Sequence, residues 1–205
     1  MAIFRSTPLK VALAAALLVG TAGCYQAMHQ HHHGNAQLPE GAREVARATA
    51  QIAGKGGITG TATLIEYQHN KGPLVKVVVD VKGDPAVLTP GLHGIHIHAV
   101  GDCSAADFTS AGGHFDPGPA SNVDPDMNHP FHMGDLPNLM VNAKGEGHLE
   151  ALTSRVTITP GPLSMLDADG SAIIIHGKED QWISGPKGSG VSGGPRIACG
   201  VIARD

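Results

Sequence analysis

His96 and His98 stand two residues apart in G-L-H-G-I-H-I-H-A-V-G-D-C, residues 91–103. Apolar positions alternate around them, as in a strand that buries one face, where residues two apart share a side. His96 and His98 then point one way, and Ile95, Ile97 and Ala99 the other. Two imidazoles on one rigid strand face can hold a soft or borderline metal ion, copper or zinc ahead of magnesium or calcium. His93 has the opposite parity and falls on the apolar face, where a buried histidine satisfied by backbone hydrogen bonds is expected. H-x-H alone is weak ground, because a polar strand face looks the same.

Four more segments carry chemistry: S-A-G-G-H-F-D-P at 110–117, H-M-G-D at 132–135, I-I-I-H at 173–176 and G-P-R-I-A-C-G-V-I at 194–202. With these, the chain from about Arg43 onward closely resembles the copper–zinc superoxide dismutases. The resemblance implies an all-β fold, an eight-stranded Greek-key barrel or flattened sandwich with two long functional loops. It implies copper on His96, His98, His114 and His176, and zinc on His114, His132 and Asp135, with His114 bridging the two ions. Imidazole suits both oxidation states of copper. In this family one superoxide reduces copper and leaves as oxygen, and a second reoxidises it and leaves as hydrogen peroxide. Arg196 matches the substrate-guiding arginine, a fixed charge with forked donors for a small anion. Asp180 matches the carboxylate that hydrogen-bonds one copper ligand and one zinc ligand and so orients their rings. Cys103 and Cys199 match the family's intrachain disulfide, which would close a loop of nearly a hundred residues, worth about 4–5 kcal/mol in the chain-entropy model.

The zinc pattern departs from the family at one place. The fourth ligand is expected about eight residues after His114, where this chain has Asn122 followed by Val123. A neutral amide oxygen binds zinc weakly. His129 lies three residues before His132, and Pro130 favours a tight turn between them. His129 is therefore the expected fourth ligand, with Asn122, Asp124 or a water next in line. The competing view is a solvated loop histidine beside a weak or vacant zinc site.

Elements that would position these residues follow from the turn signals. Strands are expected at Val45–Ile52, Ile58–Tyr67 and Leu74–Val81, then in the segment bearing His96 and His98, and at Gly147–Thr153, Ser171–His176 and Ile197–Ile202. G-K-G-G at 54–57 and H-N-K-G-P at 69–73 break the first three. Residues 101–138 show almost no periodicity, and a connection this long in a compact domain is usually functional. A second loop runs over 177–196. The 28 glycines and 14 prolines, with one Trp, two Tyr and four Phe, favour short strands and turns over helices.

Residues 1–23 read as an export signal: Arg5 and Lys10, an apolar run Val11–Val19, then small residues. T-A-G-C at 21–24 resembles a lipoprotein cleavage box, with Thr21 where Leu is usual, so Cys24 is a lipidation candidate and membrane attachment through it is expected. Residues 24–42 form a His-rich tether before the domain at 43–205. His29, His31, His32 and His33 suit a native metal-gathering tail; an expression tag fits less well behind an export segment and interrupted by Gln30. The formal charge of −4 becomes −6 once the signal is removed, which argues against nucleic acid as partner. An anionic substrate must then be drawn in by local charge, with Lys178 and Lys187 as candidates beside Arg196. An oxidising compartment, periplasm or outer envelope, suits the disulfide. Two function classes stand: a superoxide-disproportionating enzyme, or an exported copper- and zinc-binding or buffering protein on the same scaffold. A structural or adhesive sandwich does not account for the histidines. A homodimer is a candidate assembly that pattern cannot separate from core strands.

Overall fold

The computed structural model describes residues 37–117, 132–183, 185–186 and 188–205. The export segment, Cys24, the His29–His33 run, Asn122, Asp124, His129 and Lys187 lie outside these residues. Nine strands form one antiparallel sheet: β1 Arg43–Gly54, β2 Thr59–His69, β3 Gly72–Lys82, β4 Gly91–His93, β5 Ile95–His98, β6 Leu139–Val141, β7 Glu146–Thr153, β8 Ala172–His176 and β9 Arg196–Arg204. Their lateral order is β4-β6-β7-β3-β2-β1-β9-β8-β5. The two end strands are consecutive in the chain and separated only by Gly94, so the sheet curls into a nearly closed barrel. Among the described residues no helix is long and apolar enough to cross a membrane. Among the described residues two short 3-10 turns, Lys55–Gly57 and Thr109–Ala111, interrupt the strands and loops.

The seven strands expected from alternation become nine, against the eight that the resemblance implied, for two reasons. The segment at 91–103 is not one strand: Gly94 divides it, β4 pairing with β6 and β5 with β8, and pairing ends at His98. A three-residue strand, β6, lies just beyond the expected loop end; three residues are too few to show a period of two. The segment that carries the histidines is thereby the seam of the barrel. Gly94 closes it by donating its N–H to the Lys178 carbonyl at 2.7 Å and accepting from the His176 N–H at 2.8 Å.

Alternation builds the core. Ala48, Ala50 and Ile52 of β1, Ala62 and Leu64 of β2, Val75, Val77, Val79 and Val81 of β3, and Ile173 and Ile175 of β8 all face inward and are buried. Each fully buried Val, Leu or Ile contributes about 1.5–3 kcal/mol relative to exposure. Glu66 continues the inward series of β2 as a carboxylate 1% exposed. It accepts from the Ile158 and Thr159 N–H groups at 2.6 and 2.7 Å and from the Thr159 hydroxyl at 2.7 Å, so its burial is compensated and the loop after β7 is fastened to the barrel. On the outer side of β8 and β9, Ile174, Ala172, Cys199 and Ala111 form a second cluster, with Cys103 and Phe108 packed against it. The loop after β5 is thus held against the barrel wall, and Cys103 and Cys199 are bonded there, as the resemblance implied.

Candidate metal centre

Ile95 and Ile97 of β5 enter the core, which forces His96 and His98 onto the opposite face, both fully buried under the two loops. The first loop brings His114, His132 and Asp135 to them; β8 ends in His176. His96, His98, His114 and His176 place one ring nitrogen each within 4.8 Å of one another, and His114, His132 and Asp135 do the same with their ligand atoms. His114 belongs to both groups, the position of a bridging ligand. The His96 and His114 rings stack with centroids 4.0 Å apart.

Backbone bonds fix the three segments to one another. The Ile97 N–H donates to the Gly134 carbonyl at 2.8 Å, the Gly134 N–H to the Phe115 carbonyl at 2.7 Å, and the Phe115 N–H to the Ile97 carbonyl at 2.8 Å. Each member of this closed cycle is the chain neighbour of a candidate ligand. No residue larger than glycine fits at 134, since a Cβ there would lie 2.3 Å from the Ile97 carbonyl oxygen.

Partners of the imidazoles define where their lone pairs go. His98 Nδ1 donates to the Gly112 carbonyl and His176 Nδ1 to the Gly194 carbonyl, each at 2.9 Å. His96 Nε2 donates to the Asp180 carboxylate at 2.8 Å. A carbonyl or carboxylate oxygen can only accept, so the protons are assigned to those nitrogens and the lone pairs to the others. Those others, His98 Nε2, His176 Nε2 and His96 Nδ1, are buried and have no hydrogen-bond partner among the described residues. Three buried lone pairs facing one another, with a fourth imidazole beside them, are consistent with the donor set of a copper ion. Burial holds His96, His98 and His176 well below the ordinary histidine range, and the nearby Arg196 charge adds to this, so all three are kept in the neutral form a metal requires.

On the zinc side, His114 Nδ1 meets Asp135 Oδ1 at 2.7 Å, and the His132 N–H donates to Asp135 Oδ2 at 2.8 Å. Burial alone would push the Asp135 carboxyl up; hydrogen bonds from His114 and His132 outweigh it and hold Asp135 well below the carboxylate range. An ionised carboxylate beside two imidazoles is an acceptable zinc donor set.

Arg196, the first residue of β9, is half-buried, and its guanidinium donates to the Phe108 and Gly112 carbonyls at 2.6 Å each. Asp180 meets the expected copper ligand, His96. Its other oxygen accepts from the Trp182 N–H at 2.8 Å; among the described residues no zinc ligand is bonded to it. Asn138 pins its backbone from the first loop, accepting from the Asp180 N–H and donating to the Asp180 carbonyl, both at 2.9 Å. His93 behaves as expected of a buried structural histidine, its two ring nitrogens 2.7 Å from the His176 and Thr89 carbonyls. Lys178 is exposed beside Gly194.

Sequence reasoning missed the supporting groups: the Gly112 and Gly194 carbonyls, Phe108, Asn138 and Lys55. A signal for the first two existed. Both belong to Gly-Gly pairs ahead of a functional residue, and both have positive φ, 72° and 67°, the left-handed region open to glycine.

A nearly closed antiparallel barrel with four convergent imidazoles at its seam and first loop, one shared with a carboxylate-containing group, is consistent with two adjacent metal sites. Residues 58–202 match the copper/zinc superoxide dismutase (SODC) family, and the chain belongs to it. It is 38% identical over 161 residues to the Cu-Zn superoxide dismutase of Caulobacter vibrioides, covering 76% of this chain and 84% of that one. Over 158 residues it is 38% identical to the Cu-Zn superoxide dismutase of Deinococcus radiodurans, covering 72% and 78%. Among solved structures, a SOD-like protein from Bacillus subtilis superposes with a TM-score of 0.58 at 30% identity, covering 75% of this chain and 96% of that chain.

Proposed function

We propose that this chain disproportionates superoxide to oxygen and hydrogen peroxide, with copper on His96, His98, His114 and His176 and zinc on His114, His132 and Asp135. The observation that carries the proposal is the set of three buried imidazole nitrogens, without partners among the described residues, that converge beside a guanidinium. Copper, when bound, supplies one-electron exchange in both directions. The protein's own part is to hold His98 and His176 in one tautomer through glycine carbonyls, and His96 in the other through Asp180. Arg196, fixed by two carbonyls, offers positive charge to a small anion. A non-catalytic metal-binding protein would have no use for that pinned cation.

His129 completes the zinc set in this proposal. The domain works outside the cytoplasm, released from residues 1–23, on the tether 24–42, with Cys24 carrying a lipid; support comes from the basic, apolar and small-residue order of that segment and from the disulfide.

The test is a superoxide disproportionation assay on the mature domain with copper and zinc counted in the same sample. His176→Ala is expected to lose copper and activity, and Arg196→Ala to keep copper while turning over slowly and with a weaker dependence on ionic strength. Copper-loaded parent protein without activity would leave metal binding as the function. Full activity in His176→Ala would refute the copper site.

A further inference from the structure

Lys55 lies in the turn between β1 and β2, remote in sequence from every residue of the metal centre. Its ammonium donates to the main-chain carbonyl of Arg196 at 3.1 Å and stands 5.9 Å from the centre of the Phe108 ring. Phe108 is the residue whose own carbonyl holds one arm of the Arg196 guanidinium. The backbone puts Lys55 there. Gly54 pairs with Ala198 across β1 and β9, and a Cβ on Gly54 would lie 2.3 Å from the Ile197 carbonyl oxygen. Only a glycine lets the turn come so near β9, and the next side chain then reaches the residue that begins that strand.

We infer that Lys55 is a second guiding charge for the anionic substrate, set beside Arg196 from an element outside both loops. The inference rests on the superoxide reading. The chain carries net negative charge, so at long range it repels an anion and attraction has to be generated locally. Arg196 does not act unopposed: Asp107 is exposed and Asp102 half-buried on the loop that grips it, and Glu179 stands exposed beside Lys178 on the other loop. Asp107 is close enough to Arg196 for the guanidinium to help hold its carboxyl below the ordinary range, behind the hydrogen bonds from Thr109. Lys55 restores the balance on the Phe108 side. Its hold on a carbonyl and an aromatic face keeps the charge at that place rather than sweeping the full length of a lysine side chain. Among the described residues Lys55 touches no candidate ligand, so its effect falls on approach rather than on metal binding.

Azide is the probe, titrated against copper-loaded protein through the copper absorption band, alongside the disproportionation rate, each over a range of ionic strength. Lys55→Gln is expected to weaken azide binding and slow the rate about twofold at low salt, where screening is weakest, and to match the parent at high salt. Lys55→Arg keeps the charge and is expected to behave as the parent throughout. Equal azide affinity and equal salt slope in Lys55→Gln and the parent would overturn the inference. So would a deficit that persists at high salt or appears equally in Lys55→Arg, because the residue would then act only as a brace. An inactive parent would overturn the superoxide reading instead, while the azide titration still decides Lys55.

Discussion

Gly134→Ala is the substitution that asks whether backbone geometry, rather than the ligands alone, assembles the centre. The added Cβ would lie 2.3 Å from the Ile97 carbonyl oxygen, 3.1 Å from Phe115 Cβ and 3.2 Å from the Ile97 carbonyl carbon. Two of these are main-chain atoms of the central ligand strand, which cannot swing aside as a side chain would. Relief therefore means separating Gly134 from β5, and that opens the three-bond cycle at 2.7–2.8 Å. Each bond is worth about 1 kcal/mol net, and a buried donor or acceptor left unpaired costs about 1–3 kcal/mol. Loss of two bonds with partial repair by water gives an expected destabilisation of about 3–5 kcal/mol, a large part of a typical domain's 5–15 kcal/mol. Urea unfolding of the metal-free protein reads that cost. Metal counting on the loaded protein should show copper and zinc weakened together, since the cycle joins segments bearing ligands of both. A variant within about 1 kcal/mol of the parent that retains both metals would refute the argument.

Reducing the Cys103–Cys199 bond, which spans 96 residues, should lower stability by about 4–5 kcal/mol by chain entropy and loosen the loop whose carbonyls grip Arg196. Denaturant midpoints with and without reductant measure this, and non-reducing peptide mapping that found Cys24 joined to either partner would contradict the pairing. Metal-free protein should lose stability as pH falls from 7.5 to 5. His96, His98 and His176 are lowered by burial, so below about pH 6.5 the unfolded chain takes up protons that the fold refuses, with a limiting slope of about 4 kcal/mol per pH unit for three sites. Asp180, raised by burial, acts the other way, losing stability as pH rises, but is one group against three. Thermal midpoints of the chelated protein that stay level across that range would refute buried neutrality of the histidines.

The strands and the clustering of the histidines with Asp135 were legible because both are written in side chains. Alternation marks Val75 to Val81 and Ile95 to Ile97, and the histidines stand in recognisable motifs. Strand β6 was not legible, because three residues cannot display a period. Nor was the division at Gly94, whose role is to let one strand segment pair in two directions. Asp180 was half legible: its bond to His96 was expected, but its second oxygen turns to the Trp182 N–H, and its backbone is held by Asn138. Asn138 carries no signature, since an asparagine after a proline in a loop is ordinary turn composition.

What pattern hides most is the use of main-chain carbonyls as instruments. The Gly112 oxygen accepts from His98 Nδ1 at 2.9 Å and from Arg196 Nη2 at 2.6 Å. A carbonyl has two lone pairs and can serve both donors at once. In the proposed function one of them sets the tautomer of an imidazole facing the copper, and the other sets the position of the cation that meets the substrate. In that proposal metal affinity and substrate approach are both tied to the conformation of a single residue at φ 72°. A side-chain carboxylate in that place would add charge that competes with the anion, whereas a carbonyl orients both groups and leaves the positive field of Arg196 intact. The glycine pair ahead of His114 is the sequence trace of that arrangement, and its chemistry resides in an atom every residue possesses.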